Sequence, residues 1–526
     1  MGLLRSVALV ALVGGCNLLN GSSSLEVVGE NAPCVGCDPR DGGGGGAEGG
    51  DGLSIVAPPS VAVARGSSIA IVATSEGAAE IMASAIAGVT VVAGAVESGR
   101  STITISPSAA AAIGPVVLEI RARAGDREAS QTVSVNILEE GALDESFGDA
   151  GIARVDLGGA SDVAEAVFVD PDGKIVVAGS NGAAFVAARL DASGKLDPTF
   201  GEGGRAIVEF GGPATARAIA RDGFGRYVLF GDASNDIAIA RLLANGTLDT
   251  TFAGAGKRTD DISNGADVGY AVALAPAGQI YGAGFRFAAG PGQDLLVVRY
   301  TAGGAPDPSW AFNGRFILDF ANAADRVHAM AVQPDGKVVV AGHANVGGPD
   351  GIDTMVARLD VNGTPDPSFA GNDGVNVEAF GGDDRAFALA LQPDGKIVTA
   401  GQGGNPRRAA FLRLDANGTR DATFDGDGKA THAVGGTEDV ARGLVLAPGV
   451  GFLAVGSART GATTDAFLLS LTDAGALDAT GKRGARTFDW APGANDGATA
   501  VARAPDGRLV VVGNAGADVV VMRVWP

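Results

Sequence analysis

Aspartate recurs at one position of a repeated segment, and carboxylates grouped at such a spacing can bind a cation. The segment reads DVAEAVFVDPDGKIVVAG, DRVHAMAVQPDGKVVVAG and DRAFALALQPDGKIVTAG in three of its copies. The aspartate stands four residues before a small residue at Asp162, Asp267, Asp325, Asp384, Asp439 and Asp496. If the copies surround one axis, these side chains would form an acidic ring at the mouth of a channel, which could bind Ca²⁺ or repel anions. Alternatively, each aspartate accepts backbone N–H bonds within its own turn.

Histidine, the side chain most often used as a general base, is scarce in this chain. His328, His343 and His432 occupy three different repeat positions, whereas a nucleophile, its base and an orienting group should converge from one face. No GxSxG, HExxH or phosphate-binding-loop signature is present. The sequence therefore predicts no catalytic residue, no metal site and no cofactor. A hydrolase or lyase that uses carboxylates at the channel mouth is the alternative.

The N-terminal segment predicts a cellular address. MGLLRSVALVALVGGC has one positive charge and an apolar run too short to span a bilayer as a helix. Its ending, LVGGC, resembles a bacterial lipobox, which implies a signal peptide over residues 1–16 and a lipid on Cys16. The resemblance implies an extracytoplasmic lipoprotein of the outer membrane or cell surface, attached to the membrane through the lipid only. A plain signal peptide with a coincidental cysteine is the alternative.

Two further cysteines, Cys34 and Cys37, lie in residues 17–52, which are rich in glycine and read as a flexible tether. A CxxC pair can be half of a zinc site, but four ligands are needed and no second pair exists. In an oxidising compartment a local disulfide between Cys34 and Cys37 is the favoured interpretation.

The rest of the chain is repetitive, and the repeat is the strongest indication of its fold. The glycine that ends the run KIVVAG recurs every 52 to 59 residues, at Gly179, Gly231, Gly284, Gly342, Gly401, Gly456 and Gly513. A second anchor is the aspartate of LDxxF, at Asp144, Asp197, Asp249, Asp307, Asp366, Asp421 and Asp478. An aromatic residue follows this aspartate by three positions in every unit but the last, which has Gly481.

Each unit contains four β segments with period two, such as VAEAVFVD, KIVVAGS, AFVAARLD and RAIVEF in the first. A four-stranded sheet of this size cannot bury both faces alone, but copies packed side by side around an axis can. The sequence therefore predicts an all-β protein in which residues 143–526 form a seven-bladed β-propeller. We expect residues 152–157 to pair with the sheet of residues 499–524 and so close the ring, which removes an exposed sheet edge.

Residues 53–139 show a different β pattern, with runs such as STITISPS, VVLEIRARAG and ASQTVSVNIL separated by turn signals. Period-two alternation at short intervals predicts an antiparallel sandwich. The last two runs, joined through AGDRE, resemble the closing hairpin of a bacterial immunoglobulin-like domain. We interpret this domain as a spacer, with an adhesion module as the alternative.

One connection in each repeat unit carries most of the variation in length. The span from the KIVVAG glycine to the arginine of ARL, or to the serine that replaces it once, ranges from 10 to 16 residues, whereas the other spans are nearly constant. These connections, between the second and third strands, form what we call the variable-loop face; the longest lie at residues 285–298 and 343–357. Because scaffolds keep their frame and vary their binding loops, this face is predicted to bind a partner.

Composition limits the kind of partner. Of the 526 residues 46% are apolar, enough for sizeable cores, and the formal net charge is −21. A polyanion needs a basic surface, so the charge argues against nucleic acid. We expect a monomer that binds an extracellular or periplasmic protein or a glycan.

LDxxFGxxG, ALxLQPDGKIVVAG and FxLARLDxxGxLD together resemble the delta-60 repeat of bacterial secreted and surface proteins, over residues 143–526. The resemblance implies a propeller-forming repeat and supplies no chemistry. We therefore expect a non-catalytic binding or scaffold lipoprotein that engages its partner through the variable-loop face. A purely structural envelope protein is a further possibility.

Overall fold

The computed structural model describes residues 53–65, 68–108, 110–139, 141–287, 292–320, 324–347, 351–447, 451–478 and 484–525. These residues form strands and turns, with a single short 3-10 turn at Phe252–Gly254, which confirms the all-β class. Nowhere in these ranges does a helix have the length and apolar character needed to cross a membrane. The predicted signal peptide, the tether, the lipidated Cys16 and the Cys34–Cys37 pair lie outside the described residues.

The chain divides into two compact units, and the smaller one includes the described residues up to Ala142. Its strands are β1 (Ser60–Ala64), β2 (Ile69–Thr74), β3 (Glu80–Ala83), β4 (Val89–Ala93), β5 (Arg100–Pro107), β6 (Gly114–Ala124) and β7 (Arg127–Leu138). One sheet has the order β1-β7-β6-β3, with β1 parallel to β7, and the other has the order β2-β5-β4. Ile103 and Ile105 from one sheet and Leu118 and Ile120 from the other are fully buried in one apolar cluster. The two sheets therefore share a core.

The larger unit spans Leu143–Val524, and its described residues form 28 strands in seven four-stranded sheets. Its first strand, β8 (Ile152–Val155), belongs to the last sheet. The first three sheets are built from β9 (Val163–Val169), β10 (Ile175–Ser180), β11 (Phe185–Leu190), β12 (Arg205–Val208), β13 (Ala214–Arg221), β14 (Tyr227–Ala233), β15 (Asp236–Leu242), β16 (Lys257–Asp260), β17 (Asp267–Leu274), β18 (Ile280–Phe287), β19 (Gln293–Tyr300) and β20 (Arg315–Leu318).

The remaining four sheets are built from β21 (Arg326–Val332), β22 (Val338–Ala344), β23 (Asp353–Leu359), β24 (Val375–Glu378), β25 (Arg385–Leu391), β26 (Ile397–Gly403), β27 (Arg408–Leu414), β28 (Lys429–His432), β29 (Asp439–Ala447), β30 (Gly451–Thr460), β31 (Thr463–Leu471), β32 (Ala485–Phe488), β33 (Asp496–Arg503), β34 (Leu509–Ala515) and β35 (Asp518–Val524). Within each sheet neighbouring strands are antiparallel and follow chain order, except that β8 supplies the fourth strand of the last sheet.

The first strand of each sheet packs against the first strand of the next, from β9 through β13, β17, β21, β25 and β29 to β33, and β33 packs against β9. This cyclic order places the first strands around a common axis. The ring closes within a sheet, because β35 pairs with β8 from Val519 opposite Val155 to Met522 opposite Ile152. The predicted pairing of residues 152–157 with the C-terminal sheet is confirmed, over a strand of four residues.

The LDxxF motif forms a buried contact that recurs around the ring, which we call the clasp. In the fourth sheet Arg358 Nε lies 2.7 Å from Asp366 Oδ2, and the guanidinium carbon stands 4.6 Å from the centroid of the Phe369 ring. The same arginine donates through Nη1 to the carbonyl oxygen of Ala416 in the fifth sheet, at 2.7 Å. The clasp therefore neutralises a buried carboxylate, and the equivalent arginines Arg189, Arg241, Arg413 and Arg523 likewise donate to a carbonyl oxygen of the following sheet.

Six sheets carry the clasp, with arginine to aspartate distances of 2.6 to 2.9 Å. Its members are Arg189, Asp197 and Phe200; Arg241, Asp249 and Phe252; Arg299, Asp307 and Trp310; Arg358, Asp366 and Phe369; Arg413, Asp421 and Phe424; and Arg523, Asp144 and Phe147. The sixth sheet has Ser470 in place of the arginine. Because the LDxxF connection follows the third strand, the clasps lie on the opposite side of the ring from the variable-loop face.

Candidate functional site

Each first strand contains a β-bulge, which leaves one residue without a partner on the second strand. In the first sheet Ala166 pairs with Ala178 and Ala164 with Gly179, so Glu165 has no opposite residue. The corresponding residues of the seven sheets, which we call the bulge residues, are Glu165, Arg217, Tyr270, His328, Phe387, Arg442 and Thr499. A bulge changes the direction in which its side chain would point if the alternation of the strand continued, and bulges recur beside functional sites.

The bulge explains the glycine that ends KIVVAG. A Cβ added at Gly179 would overlap the carbonyl oxygen of Val163, because the bulge pushes this part of the first strand towards the second. The same overlap with the backbone of the first strand arises in the other six sheets, at Gly231, Gly284, Gly342, Gly401, Gly456 and Gly513. The invariant glycine of the repeat is therefore needed for the bulge, whatever side chain the bulge carries.

All seven bulge residues line a cavity of about 620 Å³ on the axis of the ring. The small residue that follows each bulge, such as Ala166 or Gly443, forms the wall. The cavity also reaches Asp383, Gln402 and Arg407. Asp383 lies just before β25, Gln402 near the end of β26 and Arg407 in the connection from β26 to β27, so the cavity extends towards the variable-loop face.

Three consecutive bulge residues form an aromatic arc. The ring centroids of Tyr270 and His328 are 4.7 Å apart, and those of His328 and Phe387 are 5.0 Å apart. A guanidinium stands at each end of this arc: Arg217 lies 5.3 Å from the Tyr270 centroid, and Arg442 lies 5.2 Å from that of Phe387. The other bulge residues, Thr499 and Glu165, complete the circle.

The cavity carries an excess of positive charge, although the chain as a whole is acidic. Its lining contains five arginines (Arg217, Arg326, Arg385, Arg407 and Arg442) and two carboxylates, Glu165 and Asp383, a formal excess of three positive charges with histidine neutral.

The pairing of these arginines is uneven. Arg217 lies 3.3 Å from Glu165 and 2.7 Å from Asp232. Arg385 lies 2.8 Å from Asp383, and Arg407 stands at a looser 3.7 Å from the same carboxylate. By contrast, Arg442 is exposed to the cavity, and its contact is the face of Phe387. Burial within the ring lowers the pKa of Arg442, and the charge of Glu165 offsets this effect only in part.

Two histidines meet beside the cavity. His328 Nε2 lies 3.3 Å from His343 Nδ1, and the two rings are stacked. Burial, with the charges of His343 and nearby arginines, lowers the pKa of His328 well below its usual value. Burial and the charges of Arg385 and Arg326 lower the pKa of His343 to about 3. Both rings are therefore neutral at physiological pH, so the positive charge of the cavity comes from arginine. His432 lies elsewhere, where Nε2 contacts the carbonyl oxygen of Gly475 at 2.8 Å.

The six aspartates of the expected acidic ring do not line this cavity. Each is buried and accepts backbone N–H bonds: Asp384, for example, accepts from Phe380 at 2.5 Å, Gly381 at 3.1 Å and Gly404 at 2.9 Å. The backbone donors to the others are Leu157 and Gly159 for Asp162, Ile262 for Asp267, Phe320 and Asn345 for Asp325, Val434 and Gly436 for Asp439, and Trp490 and Ala491 for Asp496. These are the contacts of turn caps, the alternative that the sequence left open.

Asp267 also lies close to Asp236 and Asp261, and one oxygen from each of the three lies within 4.8 Å of the others. Asp261 is exposed to solvent. The cluster lies at the variable-loop face, where Asp236 begins β15, Asp261 follows β16 and Asp267 begins β17.

Comparison with known proteins agrees with this architecture. The model of the family described as "Domain of unknown function (DUF5122) beta-propeller" matches residues 171–200, 225–252, 333–369 and 392–424. Each matched segment ends at the aromatic residue of a clasp. No curated protein matches the chain. Together with the repeated four-stranded sheets, the family match defines a β-propeller protein.

Solved structures are only distantly similar. A glucose dehydrogenase is 15% identical, covering 59% of this chain and 95% of its own, with a TM-score of 0.37. A quinonprotein alcohol dehydrogenase-like protein from Bacteroides thetaiotaomicron VPI-5482 is 10% identical, covering 80% of this chain and 92% of its own, with a TM-score of 0.32. Scores this low carry no argument about activity or ligand.

Proposed function

We propose that this β-propeller protein is a non-catalytic binding or scaffold protein that engages its partner through the variable-loop face. The observation that carries the proposal is the cavity of the bulge residues. Seven equivalent positions carry six different residue types, and the cavity that they line extends towards the connections that vary in length. A frame that is kept constant around a varied, partly solvated surface is the arrangement of a binding site.

The finer features of the proposal follow from the sequence and topology. The seven sheets would be the blades of a seven-bladed ring of delta-60-type repeats, and the two sheets of residues 53–139 an immunoglobulin-like spacer. The N-terminal segment supports an extracytoplasmic lipoprotein with the lipid on Cys16. The partner would be an extracellular or periplasmic protein or a glycan, bound by a monomer.

A hydrolase or lyase is the second candidate, because burial raises the pKa of Glu165 inside the cavity. A raised pKa is typical of a general acid or base. Both cavity carboxylates are nevertheless paired with arginine, Glu165 with Arg217 and Asp383 with Arg385. The paired carboxylates and the neutral histidines favour binding.

The test compares the chain with a variant in which the connection between β22 and β23 is cut to the two-residue turn of Ser234 and Asn235 that joins β14 to β15. Both proteins are screened against glycans and extracytoplasmic proteins. We expect the variant to fold and to lose its partner. Phe224→Ser, at a position that is 84% exposed on the clasp side, serves as the matched control. Unchanged binding by the shortened variant would remove the variable-loop face from the proposal.

A further inference from the structure

Arg442 is the starting point, because it brings into the cavity a charge that has no ion-pair partner among the described residues. Among the described residues no carboxylate forms an ion pair with its guanidinium and no acceptor forms a hydrogen bond with it, and the guanidinium stands over the Phe387 ring. The other bulge arginine, Arg217, has two carboxylate partners. A planar guanidinium with free donors binds a carboxylate through two parallel hydrogen bonds. The site is therefore complementary to one added negative charge.

The aromatic arc defines the shape of the group that would carry this charge. Tyr270, His328 and Phe387 follow one another around the axis, and the arc ends at Arg442. Rings pack favourably against such faces. A volume of about 620 Å³ falls in the range of small-molecule sites and far exceeds a bare inorganic anion. Thr499 and Glu165 on one side of the cavity, and Asp383 and Gln402 towards the variable-loop face, offer polar groups to hydroxyls.

We propose that the cavity binds a small ring compound that carries one carboxylate, with the carboxylate on Arg442 and the ring against Tyr270, His328 and Phe387. The inference rests on the proposed binding role and names the chemistry of the ligand. Two kinds of compound share that chemistry: a sugar acid, whose hydroxyls would contact Thr499 and Gln402, and an aromatic acid, which needs only the arc.

The test is titration calorimetry on the full chain with four probes: glucuronate, glucose, benzoate and inorganic phosphate. We expect saturable binding of glucuronate or benzoate, and binding of glucose and phosphate at least about tenfold weaker, because each lacks one half of the required chemistry. Glucuronate alone would identify a sugar acid, and benzoate alone an aromatic acid. Glucose or phosphate binding as tightly as the ring carboxylates would overturn the proposal, as would no saturable binding of either acid.

Variants locate the site. Arg442→Met should weaken binding of the acid by about tenfold or more, and Arg442→Lys should recover only part, because an ammonium cannot form the paired hydrogen bonds. Arg420→Met, which removes an exposed arginine from the clasp side, is the control that keeps full affinity. Wild-type affinity in Arg442→Met would overturn the proposal.

The outcome can be separated from that of the proposed function. A chain that captures a partner through the variable-loop face but binds no ring carboxylate would overturn this inference alone. Loss of both kinds of binding in all assays would overturn the proposed function as well.

Discussion

The two sides of the ring use the same seven repeats in opposite ways. On the clasp side six sheets present the same arginine, aspartate and aromatic contact, and the arginine to aspartate distances differ by only a few tenths of an ångström. On the axis, the bulge residues include an acid, two arginines, three different rings and a threonine. The fold depends on the first set, whereas the second set is free to vary.

The family match shows the same division. The four matched segments contain complete clasps, from Arg189 to Phe200 in the first, and none of them contains a bulge residue. The family match therefore covers residues that build the frame of the propeller and leaves out the bulge residues that line the cavity. Similarity of this kind can define a fold while it says nothing about a ligand.

The largest expected effect concerns acid, because pH acts on every clasp at once. Burial alone would raise the pKa of Asp366, yet hydrogen bonds from Ser368 and Lys337 and the charge of Arg358 hold it far below its usual range. The pKa is lowered in the other five clasps too, at Asp144, Asp197, Asp249, Asp307 and Asp421. A lowered folded-state pKa stabilises the fold above the unfolded value of about 3.9, and this stabilisation is lost as the pH falls through the folded value.

We therefore expect the free energy of unfolding in urea to fall steeply between pH 4 and pH 2. Asp366→Asn provides the control, since it removes one of the six titrating carboxylates and should show a smaller change over the same interval. An equal slope in the variant and the wild type would contradict the assignment.

A single clasp gives the next largest effect. Asp366→Ala leaves Arg358 buried without its carboxylate and should lower the free energy of unfolding by about 3–5 kcal/mol. Arg420 provides the comparison with an exposed ion pair, because its Nε lies 3.5 Å from a carboxylate oxygen of Glu378 and its side chain is 45% exposed. Arg420→Ala should cost less than about 1 kcal/mol. Similar costs for the two variants would break the distinction between clasp and surface.

A cap on the variable-loop face should give a smaller effect. Asp384→Ala removes the acceptor of three backbone N–H groups, and because these donors are only partly buried and can bond to water, the change should cost about 1–3 kcal/mol in total. The neighbouring Asp383→Ala, at a half-buried carboxylate, should cost less than about 1 kcal/mol.

Calcium distinguishes the two interpretations of these aspartates. As turn caps they bind no ion, so adding Ca²⁺ should leave the melting temperature of the wild type unchanged. A rise that is lost in Asp384→Ala would instead support the acidic ring as an ion site, because a ligand that binds only the folded state stabilises it.

The smallest effect on stability should come from the axis itself. Arg442→Met removes a charge that has no partner and is screened by solvent in the cavity, so the free energy of unfolding should change by less than about 1 kcal/mol. Arg217→Met, which leaves Glu165 and Asp232 without their arginine, should be clearly more destabilising. The free energy of unfolding of both variants is measured in urea. Equal changes would show that the two bulge arginines contribute equally to stability.

Much of the fold could be predicted because it is periodic. Alternation located the strands, and the leading residues 152–157, which lack a sheet of their own, predicted closure with residues 499–524. The short strand Glu80–Ala83 was missed, since four residues show no clear alternation. The connection in the sixth sheet did not become a loop: its extra length extends β30 and β31, which pair as far as Thr460 and Thr463.

The site was harder to predict because the bulge shifts the alternation by one residue. His328 and His343 stand at different repeat positions, yet they come into contact in the structure. His328 is the bulge residue of β21, and His343 lies on the neighbouring strand β22, opposite Arg326. The signal was nevertheless in the sequence. A glycine that recurs in all seven copies, beside a strand whose small residue is preceded by a different side chain in almost every copy, marks a bulge with a varied occupant.

Closure through β8 and β35 also orders the assembly of the ring in time. The strand that is synthesised first in the ring, Ile152–Val155, finds its partner only when Val519–Met522 have left the ribosome. Six sheets can form during elongation, while β8 keeps an open edge that invites pairing with other chains. The period of greatest risk for aggregation therefore ends with the last strand to be made.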